Sequence, residues 1–242
     1  FDDGTPLGSK SSPEAQIDSL PQSWAAIQGK GSRERAAQGM ESVMKRLVRE
    51  KEGLVLLFDP PFDSSPLQPG YIKGYPPGVR ENGGQYTHGS LWAAMGWARL
   101  GRGDRAVHLL QLMNPVRHGM ERQRYLVEPY VVAADIYALP GREGMGGWTW
   151  YTGSAGWMYR IWIEEVLGFR RRGNELTIEP VIPGEWSGFR MRYRFGSATY
   201  AIKVTASKRR RGVREMKLDG QLVTSIPLVD DGKEHAVQVL LR

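Results

Sequence analysis

The segment YPPGVRENGGQYTHGS, residues 75–90, concentrates polar and turn-forming residues immediately before an apolar helical pattern. Its glycines allow the backbone to approach a ligand closely, and Glu81, Gln85 and His88 add hydrogen-bonding side chains. A helix beginning near Thr87 would direct its free backbone N–H groups toward the same place, which favours an anion. The segment is a candidate binding site. For a lone histidine, a capping turn with an ordinary core histidine is the commoner case.

A second segment of this kind is GMGGWTWYTGSAGW, residues 144–157. Thr152, Gly153 and Ser154 precede a predicted helix and offer hydroxyl and backbone donors to an anion. Flat aromatic faces of the type that stack on sugar rings come from Trp148, Trp150, Tyr151 and Trp157. Core packing explains any single tryptophan better. Two loops of this composition, each opening a helix, together indicate a ligand site.

Other chemistries find little support in the residue types. The four histidines, at positions 88, 108, 118 and 235, lack metal-ligand spacing, so we predict no metal. The absence of cysteine excludes a disulfide scaffold, and no phosphate-binding P-loop or nucleophile elbow occurs. The basic run SKRRRGVR, residues 207–214, is a possible nucleic-acid patch. A solvated loop between strands explains it more simply, so we predict no nucleic-acid partner.

The first part of the chain has helical periodicity. In residues 33–49 the apolar positions fall on one stripe at the spacing of a helix. Further helices are predicted over residues 14–28, 87–100, 103–113, 128–139 and 154–167, which makes about six in total. Long connections rich in glycine and proline, residues 60–85 and 139–153, separate them. Such long loops in a compact domain are usually functional or disordered, and their aromatic residues favour function.

The last part of the chain changes to the alternation of β-strands. Phe189, Met191, Tyr193 and Phe195 alternate with arginines, and residues 199–206 and 235–241 also alternate. Asp219 and Gly220 predict a two-residue hairpin turn. The first 168 residues carry equal numbers of acidic and basic side chains, so the net charge of +7 belongs to residues 169–242. We therefore predict a helical domain at 1–168 and a β domain at 169–242.

Three long segments resemble a known family. GYIKGYPPGVRENGGQYTHGSLW, VEPYVVAADIY and GGWTWYTGSAGWMYR are similar to segments of the inverting phosphorylases that include cellobiose and chitobiose phosphorylase. FDDGTPLGS, IDSLPQSW and GLVLLFDPPFD resemble the phosphorylase-like carboxy-terminal region of cyclic β-1,2-glucan synthases. The resemblance implies an (α/α)6 barrel followed by a small antiparallel β domain. With about six helices, the chain would be the C-terminal half of that barrel plus the β domain.

The resemblance also implies a reaction. Phosphate attacks the anomeric carbon of a terminal β-linked glucose and releases α-glucose 1-phosphate with inversion. His88, Thr152 and Gly153 match phosphate-binding positions. Glu81 matches a position that contacts the terminal sugar, and Tyr75 one near the acceptor. Arg80, Gln85 and Glu128 are further candidates for substrate binding. The general acid of the family is an aspartate in a segment upstream of the matching region, so we expect no catalytic residue here and little or no activity from the isolated chain.

The partners implied are a β-glucan oligosaccharide, inorganic phosphate as co-substrate without any cofactor, and the missing amino-terminal half of the barrel. Because no apolar run approaches the roughly 18 residues that span a bilayer, we expect no membrane insertion. A cytoplasmic location is predicted, on the inner face of the membrane if the chain is part of a synthase. Two alternatives stay open: a free-standing cellobiose- or sophorose-type phosphorylase, and a non-catalytic carbohydrate-binding module.

Overall fold

The computed structural model describes residues 1–150, 152–207 and 212–241. They form two compact units. Unit one comprises Phe1–Leu100 and His108–Tyr159, and unit two comprises Gly101–Val107 and Arg160–Arg242. The domain division at residues 168 and 169 stays a prediction. Within the described ranges, no helix is long and apolar enough to cross a membrane.

Seven α-helices lie between Ser19 and Arg160 in the described chain. They are α1 (Ser19–Gln28), α2 (Arg33–Leu47), α3 (Thr87–Arg99), α4 (Gly103–Leu112), α5 (Pro115–Gly119), α6 (Arg122–Tyr125) and α7 (Thr152–Arg160). A 3-10 turn covers Gly70–Gly74, and a π-helical segment covers Ile161–Val166 directly after α7. The caps follow ordinary helix chemistry. Asp18 accepts from the N–H of Leu20 at 2.7 Å to start α1, and Gly29, with φ of 61°, ends it.

Part of the core of unit one lies where α1 packs against both α2 and α3. Met40, Val43 and Leu47 lie fully buried on one face of α2, at the spacing that the sequence predicted. Trp97 of α3 is also fully buried. Burying side chains of this size contributes roughly 1.5–3 kcal/mol each before entropy is subtracted, so α1, α2 and α3 together support the residues at the start of α3.

Short strand pairs connect the loops of unit one. They are β1 (Ile17–Asp18) with β4 (Phe58–Asp59), β2 (Val48–Arg49) with β3 (Leu54–Val55), and β5 (Gln85–Tyr86) with β6 (Asp135–Ile136). All three pairs are antiparallel. The β5–β6 pair joins segment 75–90 to residues 135–136, and Ile136 in turn bridges to Gly146 in segment 144–157.

The helix predicted over residues 128–139 is wrong. Leu126 has a left-handed backbone with φ of 58° and ends α6, and residues 135–136 form β6. The residues between them are turn and irregular structure. Pairing with β5 decided the outcome, since local propensity is a weak preference that a tertiary contact overrides.

Unit two contains two sheets. A three-stranded antiparallel sheet has the order β13 (Ile226–Pro227), β8 (Glu175–Ile178), β7 (Phe169–Arg172). A five-stranded sheet has the order β12 (Gln221–Leu222), β11 (Val213–Leu218), β14 (Glu234–Leu241), β10 (Ala198–Ala206), β9 (Gly188–Phe195). The predicted turn between β11 and β12 is confirmed, since Asp219 and Gly220 have φ of 48° and 84°.

The expectation of a purely antiparallel β domain needs correction. β10 and β14 pair in parallel, from Thr199 opposite Glu234 to Ala206 opposite Leu241. The segment that carries β11, β12 and β13 separates these two strands in sequence, which provides the long connection that a parallel pair requires. The structure is thus mixed helix and sheet, with small sheets. The half-barrel arrangement of the helices stays a prediction.

Candidate functional site

His88 lies in the first turn of α3 and faces the start of α7. A Cβ added to Gly153 would lie 3.7 Å from His88 Nδ1, so the ring and the first turn of α7 are neighbours. Thr152 is the first residue of α7. The structure therefore places the His88 ring beside the first turn of α7, which begins with Thr152 and Gly153.

Aromatic rings surround His88. Its ring centroid lies 4.9 Å from that of Trp92 and 5.8 Å from that of Trp157. Trp24 extends the cluster, with its centroid 5.2 Å from that of Trp92. Burial lowers the pKa of His88, so the imidazole is neutral at neutral pH and has one donor and one acceptor nitrogen.

Two polar groups in this region have no hydrogen-bond partner within the described part of the chain. They are the indole N–H of Trp92 and the hydroxyl of Ser154, both buried. Buried polar groups are nearly always satisfied, so the Ser154 hydroxyl in the first turn of α7 and the Trp92 indole beside His88 both fit a polar ligand. The first turn of α7 offers backbone N–H groups and a positive dipole end at the same place.

Arg80 is the centre of a second group. Its guanidinium carbon lies 5.5 Å from the ring centre of Tyr75 and 5.8 Å from that of Trp148, and its Nε lies 3.4 Å from Glu81 Oε2. Arg80 has a left-handed backbone with φ of 50°, which is uncommon for a residue with a side chain. Three predicted substrate residues, Tyr75, Arg80 and Glu81, are therefore close together.

Asn82 fixes the loop that holds this group. Its Nδ2 donates to the carbonyls of Phe62 and Tyr75, each at 2.8 Å, and its Oδ1 accepts from the N–H of Phe62 at 2.8 Å. The side chain is fully buried. Asn82 therefore joins three parts of the loop and sets the position of Tyr75.

Gln85 is placed differently from the other predicted site residues. Its side chain is fully buried, its Oε1 accepts from the N–H of Val55 at 2.9 Å, and its Nε2 lies 3.4 Å from Thr87 Oγ1. Both ends of the amide are engaged inside the protein. A contact with a sugar would require these hydrogen bonds to be replaced.

Glu128 lies at an exposed aromatic surface. Its Oε1 accepts from the indole N–H of Trp150 at 3.2 Å, and the Trp150 ring packs edge-on against Tyr130 with centroids 6.2 Å apart. Hydrogen bonds, first from its own backbone and then from Trp150, lower the pKa of Glu128, so its carboxylate is charged at neutral pH. Tyr151 of the aromatic motif lies outside the described residues, as do residues 208–211 of the basic run.

The sequence reasoning missed Asp135, which is fully buried on β6. Its Oδ1 accepts from the N–H of Trp148 at 3.0 Å, and its Oδ2 has no hydrogen-bond partner within the described residues. Burial raises the pKa of Asp135, and the Trp148 N–H and the charge of Arg80 oppose that rise. The signal was a lone acidic residue in the apolar run VVAADIYAL.

Backbone hydrogen bonds hold the His88 and Arg80 groups in one frame. The N–H of Thr87 donates to the carbonyl of Ala134 at 2.9 Å, and the N–H of Ala134 donates to the carbonyl of Trp148 at 2.7 Å. The start of α3, the strand β6 and the aromatic loop are thereby linked in succession. Among the described residues no cluster of three or more His, Asp or Glu is suited to a metal.

Residues 1–168 match the glycosyl hydrolase 94 superfamily, catalytic domain. The chain belongs to this superfamily. Membership of the glycosyl hydrolase 94 superfamily confirms the predicted relationship to a family of carbohydrate-active enzymes, and the match is to the catalytic domain.

The chain is similar in sequence to three characterised proteins. Over 208 residues the chain is 48% identical to cyclic beta-(1,2)-glucan synthase NdvB from Rhizobium meliloti, which is 85% of this chain and 7% of the synthase. It is 30% identical to N,N'-diacetylchitobiose phosphorylase from Vibrio furnissii, over 99% of this chain and 30% of that enzyme. It is 29% identical to solabiose phosphorylase from Paenibacillus borealis, over 98% and 31% of the two chains. The chain thus spans less than a third of each relative.

Proposed function

We propose that the chain supplies part of the active site of an inverting glycoside phosphorylase. The enzyme would cleave a β-linked glucoside with phosphate and release α-glucose 1-phosphate, within a cyclic β-1,2-glucan synthase or a related protein. The observation that carries the proposal is the position of His88 against Gly153 at the start of α7. A neutral imidazole donor and a helix N-terminus together suit a phosphate.

The proposed chemistry needs two groups. An oxygen of phosphate forms a bond to the anomeric carbon on the face opposite the leaving group, and the glycosidic C–O bond breaks. The leaving oxygen takes a proton from a general acid. Phosphate is already an anion, so the site need not supply the carboxylate base that an inverting hydrolase requires. We assign the acid to an aspartate upstream of these residues.

The roles proposed for this chain are binding roles. His88, the backbone of Gly153 and Thr152 bind phosphate. Glu81 accepts hydrogen bonds from hydroxyls of the terminal sugar, while Tyr75 and Arg80 contact the acceptor sugar. Arg80 packs against two rings and a carboxylate, so its guanidinium is held in place before a ligand arrives. Glu128 contributes at the exposed surface, and Gln85 supports the loop.

The β-1,2 linkage is supported by the relationship to the glucan synthase, with which this chain shares the highest identity of the three relatives named above. The proposed partners are a β-1,2-gluco-oligosaccharide, inorganic phosphate and the amino-terminal part of the barrel. No cofactor is required for the proposed chemistry, because phosphorolysis is a group transfer without redox change.

The test measures α-glucose 1-phosphate formed from β-1,2-gluco-oligosaccharides and from cellobiose in phosphate buffer. The chain alone should form none, and the chain extended by its upstream region should form product from the β-1,2 substrates. In the extended protein, His88→Ala should lower the rate at least a hundredfold through loss of phosphate binding. His108→Ala is the matched control, since that exposed histidine contacts Glu50 outside the site.

The results separate the alternatives. Product from the chain alone would show a general acid within these residues and overturn the shared-site proposal. Product from cellobiose but not from β-1,2 substrates would favour the disaccharide phosphorylase. Sugar binding without product, even in the extended protein, would favour a carbohydrate-binding module.

A further inference from the structure

Three large aromatic side chains are exposed on the segments that carry Glu128 and residues 148–150. Tyr130 is 73% exposed, Trp148 56% and Trp150 65%, although rings of this size are usually mostly buried. We call these three residues the aromatic platform. All of them belong to unit one, on the two segments that β6 and its hydrogen bonds bring together.

The aromatic platform is held in place. The indole N–H of Trp150 bonds to Glu128, and the Trp150 and Tyr130 rings are in edge contact. The N–H and the carbonyl of Trp148 bond to Asp135 and Ala134. Rings fixed in this way lose little freedom on binding a ligand, which favours affinity.

The aromatic platform adjoins Tyr75 and Arg80, the residues proposed to contact the acceptor sugar. The ring of Trp148 contacts the Arg80 guanidinium, which also lies over the Tyr75 ring. A ligand that leaves the Tyr75 and Arg80 group along this surface therefore meets Trp148. Trp150 lies two residues further along the same loop, in contact with Tyr130 and the carboxylate of Glu128.

We propose that the aromatic platform binds the glucose units of a β-linked oligosaccharide that lie beyond the unit next to the cleaved bond, so that the enzyme prefers long chains to disaccharides. This inference rests on the proposed function and specifies its substrate. A sugar ring has an apolar C–H face that packs on an aromatic ring and hydroxyls at its edge that donate to a carboxylate. The platform provides both.

The charge of Glu128 favours a sugar over a protein segment as the occupant. An apolar helix or strand placed on the platform would remove a charged carboxylate from water, and the hydrogen bonds that Glu128 receives from its own backbone, Trp150 and Thr149 would offset this cost only in part. Sugar hydroxyls instead take the place of the water molecules that hydrate the Glu128 carboxylate. The backbone agrees with a functional surface, since Trp150 has φ of 64°, and strained non-glycine residues cluster at ligand sites.

The test is a comparison of chain lengths by isothermal titration calorimetry on the 242-residue chain. Sophorose and a β-1,2-linked glucopentaose are the two probes, and the pentaose should bind at least tenfold more tightly. Trp150→Ala and Tyr130→Ala should each weaken pentaose binding about tenfold and leave sophorose binding within a factor of two. Tyr159→Ala is the matched control, because Tyr159 is a similarly exposed aromatic in unit one, at 68%.

Each outcome decides the question. Equal losses for both sugars, or no difference between them in the unchanged protein, would overturn the inference. So would weaker association of Trp150→Ala with the upstream region at unchanged sugar affinity, since the platform would then be an interface. Failure of the proposed function looks different: the pentaose would still bind through Trp150, but no α-glucose 1-phosphate would form in the extended protein.

Discussion

His88 Nδ1 lies 3.7 Å from the point where a Cβ on Gly153 would project. That distance is an ordinary van der Waals contact, so the missing side chain of Gly153 leaves open the small space between the imidazole and the first turn of α7. In the proposed function this space receives an oxygen of phosphate. The relationship can be tested without disturbing the fold.

Gly153→Ala should leave the chain folded and weaken phosphate binding at least tenfold, because the new methyl group occupies the space beside His88. The measurement is the phosphate-dependent rise in Tm, which reports binding to the folded state. Gly156→Ala is the matched control in the same helix, since its Cβ would meet nothing within 4 Å. Both substitutions favour helix formation by about 1 kcal/mol, so a loss of stability in the first alone would contradict the prediction.

The pH dependence of stability should include a contribution from His88. Burial lowers its pKa in the folded state, whereas the unfolded chain has the ordinary value of 6.5. Below that value the unfolded state binds the proton first, so the free energy of unfolding falls as pH falls. Urea titrations between pH 5 and pH 8 should show a shallower fall for His88→Gln.

The contribution of His235 to the pH dependence of stability should have the opposite sign to that of His88. Hydrogen bonding to Asp219 raises the pKa of His235 in the folded state, with Asp231 adding to the effect. Its contribution to stability is complete below the unfolded pKa and is lost as pH rises through the folded pKa. His235→Gln should therefore remove stability mainly at the acidic end. The same slope in both variants would contradict these assignments.

Gly147 is required by the buried carboxylate of Asp135. A Cβ on Gly147 would lie 2.6 Å from Asp135 Oδ1 and closer still to Oδ2. Gly147→Ala should therefore lower the free energy of unfolding by about 1–3 kcal/mol, the usual cost of overpacking. Urea denaturation measures it, with Gly31→Ala as the control because its Cβ would meet nothing within 4 Å. In the double variant with Asp135→Ala the two losses should be less than additive.

Asn82→Ala should release the loop around Tyr75. Removal of the amide leaves the buried N–H and carbonyl of Phe62 and the carbonyl of Tyr75 without this partner, at about 1–3 kcal/mol for each group left unsatisfied. Hydrogen exchange at the Phe62 amide should speed up, while exchange at Ala106 in α4 stays as it was. Unchanged protection at Phe62 would show that Asn82 does not position the loop.

The elements that local chemistry determines were predictable from the sequence. The apolar stripe of α2 and the Asp219-Gly220 turn depend on residues close together in the chain, and both were predicted correctly. β6 was taken for a helix because its partner, β5, lies about 50 residues away and is invisible to periodicity. The parallel pairing of β10 with β14 is non-local in the same sense.

The candidate site was predictable to the extent that its residues lie in unusual segments. Tyr75, Arg80 and Glu81 come from one turn-rich segment and lie together. The burial of Gln85 and of Asp135 was not predictable, because polar residue types carry no information about which of them the fold will enclose. The platform needs two segments about 20 residues apart, and their meeting depends on β6.

The position of β14 affects how the protein is made. This strand comes after β10 and β11 in the chain, yet it lies between them in the sheet. During synthesis the inner edges of β10 and β11 stay unpaired until residues 234–241 have left the ribosome, and unpaired edges invite association with other chains. Nascent chains stalled before Glu234 would therefore expose two open strand edges, and ribosome pausing upstream of this strand should reduce the yield of folded protein.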